Sequence, residues 1–528
     1  MRVLLTAAPR FELQKDSHDI DVRAELTSRH PSLAIYQLAS ILRGGHQLHL
    51  LDPSLSDFRS DGGEPITIGD HKSLAGLRFP ALERSLAGMD LVGISGTSFD
   101  WFLVRLMAER IKEKDPEMPI VAGGVHPTLA DEHILKTTAI NFLIRGDGEE
   151  SFPRLLSVLD SDGDLQSIDG LSYRSNLLSA DGPEIRRNKD AIPLSAEEIE
   201  QMPLPAFDLL PSNIYGKIGV ESSRGCKFDC SFCSLLYRRL WRGLSPKSVL
   251  KRVEHAMSFA GKLYGEEKAV QFIDGTFTAI ARRSERILEG LREMDLGGLS
   301  IAFEGRINEI AGSNSNILRI CRKLPIDYIF LGVESGYDSG LARIRKGFNT
   351  RAVEKCASVS REQGVPLRYG FIVGFPWEGR DECLKTISFA DHIVSDYGGL
   401  AFINWFYLLP GSRIWEERHS YGITIGMECF DDLAIRTRDY RREISEKLGN
   451  GDISEIDQAI DRCNLIRMLI ERDGACWEKV SCSGICRAGR LVFSKTGGFV
   501  DKTLPFCDDK TALLRIDCND QKGKAKEG

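Results

Sequence analysis

Over the first third of the chain, apolar residues come in short runs: Val3-Leu4-Leu5, Leu48 to Leu51, Leu91 to Ile94, Ile120 to Ala122 and Phe142 to Ile144. Each is a strand's length. Helical spacing fills most of the intervals, as in Ser32 to Arg43, closed by Gly44-Gly45, and in Trp101 to Lys114. Such alternation predicts a doubly wound, Rossmann-like α/β domain over residues 1–160, with its ligand crevice at the carboxyl ends of the strands. Those ends are rich in glycine and hydroxyl groups. Ser95, Thr97 and Ser98 follow the third strand, Gly123, Gly124, His126 and Thr128 the fourth, and Gly146, Gly148, Glu149 and Glu150 the fifth. Glycine lets a backbone approach a ligand closely, and hydroxyls supply hydrogen bonds.

Residues 161–215 read as a connector, with a hairpin near Gly170 to Tyr173 and a proline cluster at Pro203, Pro205 and Pro211 that suits an ordered strap. A second α/β alternation runs over 216–425. Its apolar runs are Ile218 to Ser222, Val270 to Ile273, Leu299 to Phe303, Tyr328 to Leu331, Leu367 to Val373 and Phe402 to Leu409. Six such units predict a partial (β/α)6 barrel, whose chemistry gathers at the carboxyl ends. The residues there are Asp274, Glu304 and Arg306, Glu334 and Ser335, Gly374 to Glu378, and Pro410 to Ser412.

Directly after the first of these runs stands Arg224-Gly-Cys226-Lys-Phe-Asp-Cys230-Ser-Phe-Cys233. Three thiolates in CxxxCxxC spacing can bind three irons of a 4Fe-4S cluster; with no fourth ligand in the loop, one iron stays open to a small molecule. A zinc site usually pairs two CxxC knuckles, which this run lacks.

With its flanking Phe232 and the ordered strand ends, this run resembles the radical S-adenosylmethionine (SAM) superfamily. The resemblance implies that Cys226, Cys230 and Cys233 hold the catalytic cluster and that SAM binds the open iron. Asp274, Glu334, Ser335, Arg306, Ile372 and Gly374 would seat SAM, Arg306 pairing with its carboxylate because a guanidinium binds carboxylates through two parallel hydrogen bonds. The first 150 residues resemble the cobalamin-binding domain that precedes many such barrels. Its GG-x-H-x-T and G-[DE]-GE segments correspond to Gly123 to Thr128 and Gly146 to Glu149. Ser95, Thr97, Ser98, Gly123, Gly124, His126, Gly146, Gly148 and Glu149 would then line cobalamin, His126 alternatively being a loop histidine with a structural partner. No DxHxxG occurs, so the cobalt is expected to lack a histidine beneath it. Lying in different domains, the two cofactor sites are expected to work independently.

Together these resemblances imply a cobalamin-dependent radical SAM methyltransferase. A methyl group would pass from SAM through methylcobalamin to an unactivated carbon, activated by a 5'-deoxyadenosyl radical. A cyclase or ring-rearranging enzyme with the same cofactors is the nearer alternative, a non-catalytic cobalamin-binding regulator the more distant one. The expected partners are a small-molecule or natural-product substrate and an electron donor such as flavodoxin or ferredoxin.

Composition narrows the setting. The 528 residues are 42% apolar and 27% charged with a net charge of -7, an ordinary globular mix that gives no electrostatic reason to expect nucleic acid. No apolar run is long enough for a membrane span, and thirteen cysteines without a recognisable signal sequence suit the cytoplasm. The last segment, 426–528, carries an amphipathic run from Ile453 to Glu471 and then Cys476, Cys482, Cys486, Cys507 and Cys518. These are expected to be free thiols in a mostly helical, substrate-related lobe, with a second cluster or a zinc as the alternative, because Asp473 stands where a ligand pattern would need cysteine.

Overall fold

A computed structural model describes residues 1–8, 30–52, 79–161, 163–175, 184–265, 268–312, 315–431, 441, 443–445 and 447–473. It also describes three short strand pairs, 12–13 with 20–21, 59–60 with 77–78, and 490–492 with 501–503. The five carboxyl-terminal cysteines from Cys476 onward lie outside the described residues.

The first unit is a seven-stranded sheet. Its strands are β1 (Arg2–Ala7), β2 (Gln47–Leu51), β3 (Leu91–Ser95), β4 (Ile120–Gly123), β5 (Phe142–Ile144), β6 (Leu171–Ser175) and β7 (Glu184–Arg187). The spatial order is β2-β1-β3-β4-β5-β6-β7, parallel through β5 and antiparallel beyond it. Thus the hairpin expected in the connector completes the first sheet. Period-2 geometry divides β1 between two cores: Val3, Leu5 and Ala7 join one apolar cluster, and Leu4 joins the other. Burial on both faces explains why β1, β3 and β4 are almost continuously apolar. Helices α1 (Leu33–Leu42) and α2 (Gly148–Ser161) contribute Ile35, Tyr36, Phe152 and Leu155 to the first cluster.

The second unit is a six-stranded, all-parallel sheet in sequential order: β8 (Lys217–Val220), β9 (Ala269–Phe272), β10 (Ser300–Gly305), β11 (Ile326–Glu334), β12 (Leu367–Val373) and β13 (Leu400–Trp405). Among the described residues β8 pairs only with β9 and β13 only with β12, so the barrel is open between its first and last strands. The last strand stops at Trp405, short of the expected Leu409, as the chain turns away through Phe406 to Pro410.

The first apolar cluster does not end with the first unit. It continues through Tyr215 and Ile218 into the barrel's outer layer, so the two units share a core. Asp52, at the end of β2, accepts hydrogen bonds from Tyr36 in α1 (2.8 Å) and from Tyr215 just before β8. After the barrel, helix α3 (Asn450–Asp473) packs against β13 through Ile453, Ile456, Ile460 and Cys463, an i, i+3, i+7, i+10 series.

Candidate active site

The cysteine loop leaves the end of β8 and closes on itself. Arg224 pairs antiparallel with Arg242 at its neck, and the Cys226 N–H donates to Tyr237 O at 3.3 Å. Gly225 is required there: its φ is +75°, and a Cβ would stand 2.1 Å from the Leu240 carbonyl oxygen. Cys226, Cys230 and Cys233 are all free thiols. Burial pushes the Cys233 thiol up to about 11, and the neighbouring Cys230 and Cys226 sulfurs act in the same direction. Among the described residues no group of three His, Cys, Asp or Glu side chains closes on a single metal ion. In a 4Fe-4S cluster each thiolate takes its own iron, so its ligands need not converge as those of one ion do. Three thiols around one loop, with a cation beside them, therefore fit the cluster.

That cation is Arg306, at the end of β10. It is 7% exposed, and its Nη1 lies 3.4 Å from Cys230 Sγ. The guanidinium stacks 3.8 Å from the Phe228 ring centroid and donates to Lys346 O, while its Nε has no partner. Glu334 ends β11 in the left-handed region (φ 75°), a strained conformation for glutamate, and accepts from Lys346 Nζ at 3.4 Å. Ser335 is fully buried and its Oγ lacks a partner. Gly374 follows β12 with φ +82°, where a Cβ would meet the Trp405 ring at 2.5 Å. Its N–H donates to Glu378 at 2.8 Å, which also accepts from Phe375 N and Tyr337 Oη, so the turn is held from within. Ile372 lies half-buried one turn of the pleat earlier. Phe232 packs edge-to-face on Phe375 at 6.0 Å. Asp274 accepts from Ser222 N (3.1 Å) and Ser223 Oγ (2.6 Å) on Oδ1, while its Oδ2 is buried and unpartnered. It fastens the root of the cysteine loop to β9.

Glu304 lies near the carboxyl end of β10. Alternation with Ser300 and Ala302 turns it to the barrel interior, opposite the outward Ile301 and Phe303. Water reaches it there, yet protein surrounds it, and that desolvation raises its carboxyl to about 7, with Glu334 and Asp274 pushing the same way.

In the first unit, a cavity of about 380 Å³ opens at the β1–β3 switch point. Leu5, Leu33, Leu38, Ile94, Ile144 and Phe152 give it apolar walls, and Gly93, Gly123, Gly124, Gly146 and Gly148 line it without side chains. Ser95 and Glu149 line it too. At Gly93 a Cβ would come 3.0 Å from Leu5 and 3.3 Å from Phe152, and at Gly124 (φ +107°) 2.5 Å from Gly96 O. A glycine-rimmed apolar slot fits a bulky, largely apolar cofactor tail. Thr97, Ser98 and His126 lie outside its lining. Thr97 is exposed and gives its N–H to Asp100; Ser98 and His126 are buried and bonded to each other at 3.0 Å. His126 is also packed against Trp101 and Phe430, so its surroundings are those of a core histidine.

The cavity does not stop at the first unit: Glu221, Arg224 and Ile273 of the barrel complete its wall. Two family models fall on these two units, the B12 binding domain on residues 20–156 and the Radical SAM superfamily on residues 220–390. The chain thus carries a B12-binding domain followed by a radical SAM domain. Its cofactors are a 4Fe-4S cluster, SAM and cobalamin. This radical SAM enzyme is similar to an uncharacterised methyltransferase of Pyrococcus horikoshii, at 29% identity over 73% of this chain and 78% of the relative. It is also similar to the anaerobic magnesium-protoporphyrin IX monomethyl ester cyclase of Synechocystis, at 24% identity over 57% of this chain and 59% of the cyclase. The fold matches TsrM of Kitasatospora setae with cobalamin and a [4Fe-4S] cluster bound, with TM-score 0.56 and 14% identity over 81% of this chain and 75% of that one. It likewise matches OxsB with aqua-cobalamin bound, with TM-score 0.54 and 21% identity over 79% of this chain and 55% of OxsB.

Proposed function

We propose that this enzyme is a methyltransferase that moves a methyl group from SAM, by way of cobalamin, to an unactivated carbon of a small-molecule substrate. One observation carries the reading: the apolar cavity at the first sheet's strand ends is walled on its far side by Glu221, Arg224 and Ile273, at the root of the cysteine loop. The two cofactor sites thus face each other at close quarters, the proximity that a transfer between them needs. The similarity to a Pyrococcus methyltransferase supports the same reading. When bound, the cluster supplies an electron for SAM cleavage and cobalamin a carrier for the methyl group.

The chain's own residues position these groups. Cys226, Cys230 and Cys233 would hold the cluster. Arg306, beside Cys230, stands where it can bind the SAM carboxylate, and the unpartnered Ser335 Oγ offers a hydrogen bond to SAM's polar groups. Glu334 takes the amino group or ribose; Ile372 and the Gly374 turn flank the adenine. Ser95, Gly123, Gly124, Gly146, Gly148 and Glu149 border cobalamin. A flavodoxin or ferredoxin in a reducing cytoplasm would donate the electron. Among the described residues no helix is long and apolar enough to cross a membrane.

Similarity to the Synechocystis cyclase makes a ring-forming reaction the second reading. Mass spectrometry of SAM-derived products with candidate substrates separates the two. Methyl transfer gives S-adenosylhomocysteine, 5'-deoxyadenosine and a product one methyl heavier. Deoxyadenosine and an unmethylated product without S-adenosylhomocysteine would overturn the methyltransferase reading.

A further inference from the structure

The neck of the cysteine loop grips the cobalamin unit. Arg224, two residues before Cys226, donates to Glu221 at 2.7 Å, Glu149 at 2.5 Å and Asp147 at 3.3 Å, with only 14% of its side chain exposed. Across the neck, Arg242 donates to Asp147 Oδ2 at 2.5 Å and to Leu194 O at 2.7 Å. Its guanidinium lies 4.3 Å from the Tyr237 ring centroid. Tyr237, four residues after Cys233, accepts the Asp147 N–H on its Oη at 3.0 Å. The fit is close: Gly146 has φ +82°, and a Cβ there would stand 2.7 Å from that same oxygen. Every member of the Gly146–Glu149 loop is therefore either bonded to the cysteine loop or next to a residue that is. Gly146, Asp147, Gly148 and Glu149 all line the cavity.

We propose that the cysteine loop is part of the cobalamin site, with Arg224, Tyr237 and Arg242 as positioning residues that shape the Gly146–Glu149 wall, so that cluster assembly and cobalamin binding strengthen each other. The proposal rests on cobalamin occupying this cavity. Its physical basis is that the loop closes between Cys226 N and Tyr237 O, a segment that contains all three cysteines. Tying those thiolates to one cluster orders the segment, and with it the neck and the wall. Coupling of this kind is reciprocal, because each ligand then meets groups the other has already ordered.

The test is an anaerobic titration with hydroxocobalamin, bound and free cofactor being separated by filtration and read by absorbance. It compares the reconstituted wild-type protein, the same protein freed of iron by a chelator, Arg224→Met and Tyr237→Phe. Iron content and thermal melts are recorded for each. The expected result is about tenfold weaker cobalamin binding in the iron-free protein and in Arg224→Met, and about threefold in Tyr237→Phe. Saturating cobalamin should in turn slow iron loss to the chelator in wild type and not in Arg224→Met. If Arg224→Met fails to fold, the iron-free wild type and Tyr237→Phe decide the matter. Affinities within twofold of the reconstituted protein in both would overturn the proposal. No binding by wild type at all would overturn the assignment of the cavity itself.

Discussion

Both halves of this molecule gather their candidate site residues at the carboxyl edge of a parallel sheet, yet with different chemistry. The barrel's edge carries charges, Arg306 and Glu334 with Lys346, beside the three thiols. The first sheet's edge carries absences of side chain, at Gly93, Gly123, Gly124, Gly146 and Gly148, set in apolar walls. Its polar residues are spent on protein. Ser98 and His126 bond each other, and Asp147 and Glu149 hold the barrel's arginines. The difference teaches that a polar motif at a strand end marks a ligand only where nothing else needs those groups. One edge presents charged side chains; the other leaves an apolar cavity rimmed by glycines.

The comparison can be broken most sharply at the cysteines. Replacing Cys226, Cys230 and Cys233 together with Ala should abolish iron binding and the formation of 5'-deoxyadenosine under reducing conditions, measured by iron assay and chromatography. Next comes the glycine edge. At Gly123 a Cβ would meet nothing closer than Ile144 O at 3.8 Å, so Gly123→Leu should fold while its side chain fills the cavity. Cobalamin affinity should fall by at least about tenfold, roughly 1.4 kcal/mol. An unchanged affinity would remove the cavity from the cobalamin site. At the charged edge, Arg306→Met should weaken SAM binding by about tenfold or more, the worth of one hydrogen bond between charged groups. Equilibrium dialysis against labelled SAM measures it, with iron content as the control for cluster assembly.

The smallest effect concerns Glu304. Its carboxyl is raised from 4.5 to about 7, so the folded protein holds a proton that the unfolded chain has released. Stability from this group is fully present below pH 4.5 and is lost as pH rises toward 7. Glu304→Gln should therefore raise the melting temperature of the SAM-free protein at pH 8 more than at pH 5. An equal change at both would mean that Glu304 titrates as an ordinary surface acid.

Much of the barrel was legible because each strand end announces itself with a charge or a glycine immediately after an apolar run. Short apolar runs located all six strands and all five parallel strands of the first sheet, with shifts of a few residues at their ends. What stayed hidden depends on contacts between distant segments. Arg224, Tyr237 and Arg242 meet Asp147 only because two units share one core, and no local pattern encodes that meeting. An arginine next to Gly225-Cys226 was the one available signal. The cavity walls were hidden for another reason: Leu5, Ile94 and Phe152 are ordinary core residues by composition, and only their arrangement around missing side chains makes a binding slot. Residues 171–187 looked like a linker because a short antiparallel hairpin has the same turn signals whether or not it joins a sheet.

Helix α3 bears on where this protein can be cut. Among the described residues no strand lies beyond β13, and Ile453, Ile456, Ile460 and Cys463 share the apolar cluster that holds Ile403 and Trp405. Trp405 Nε1 also donates to Asp457 at 2.8 Å. A chain shortened to the end of the barrel near residue 425 would thus bare an apolar flank beside a strand edge whose hydrogen-bonding groups have no mate, the combination that invites self-association. Anyone preparing the catalytic unit alone should keep the helix, and a soluble monomer ending before Leu448 would be the surprise.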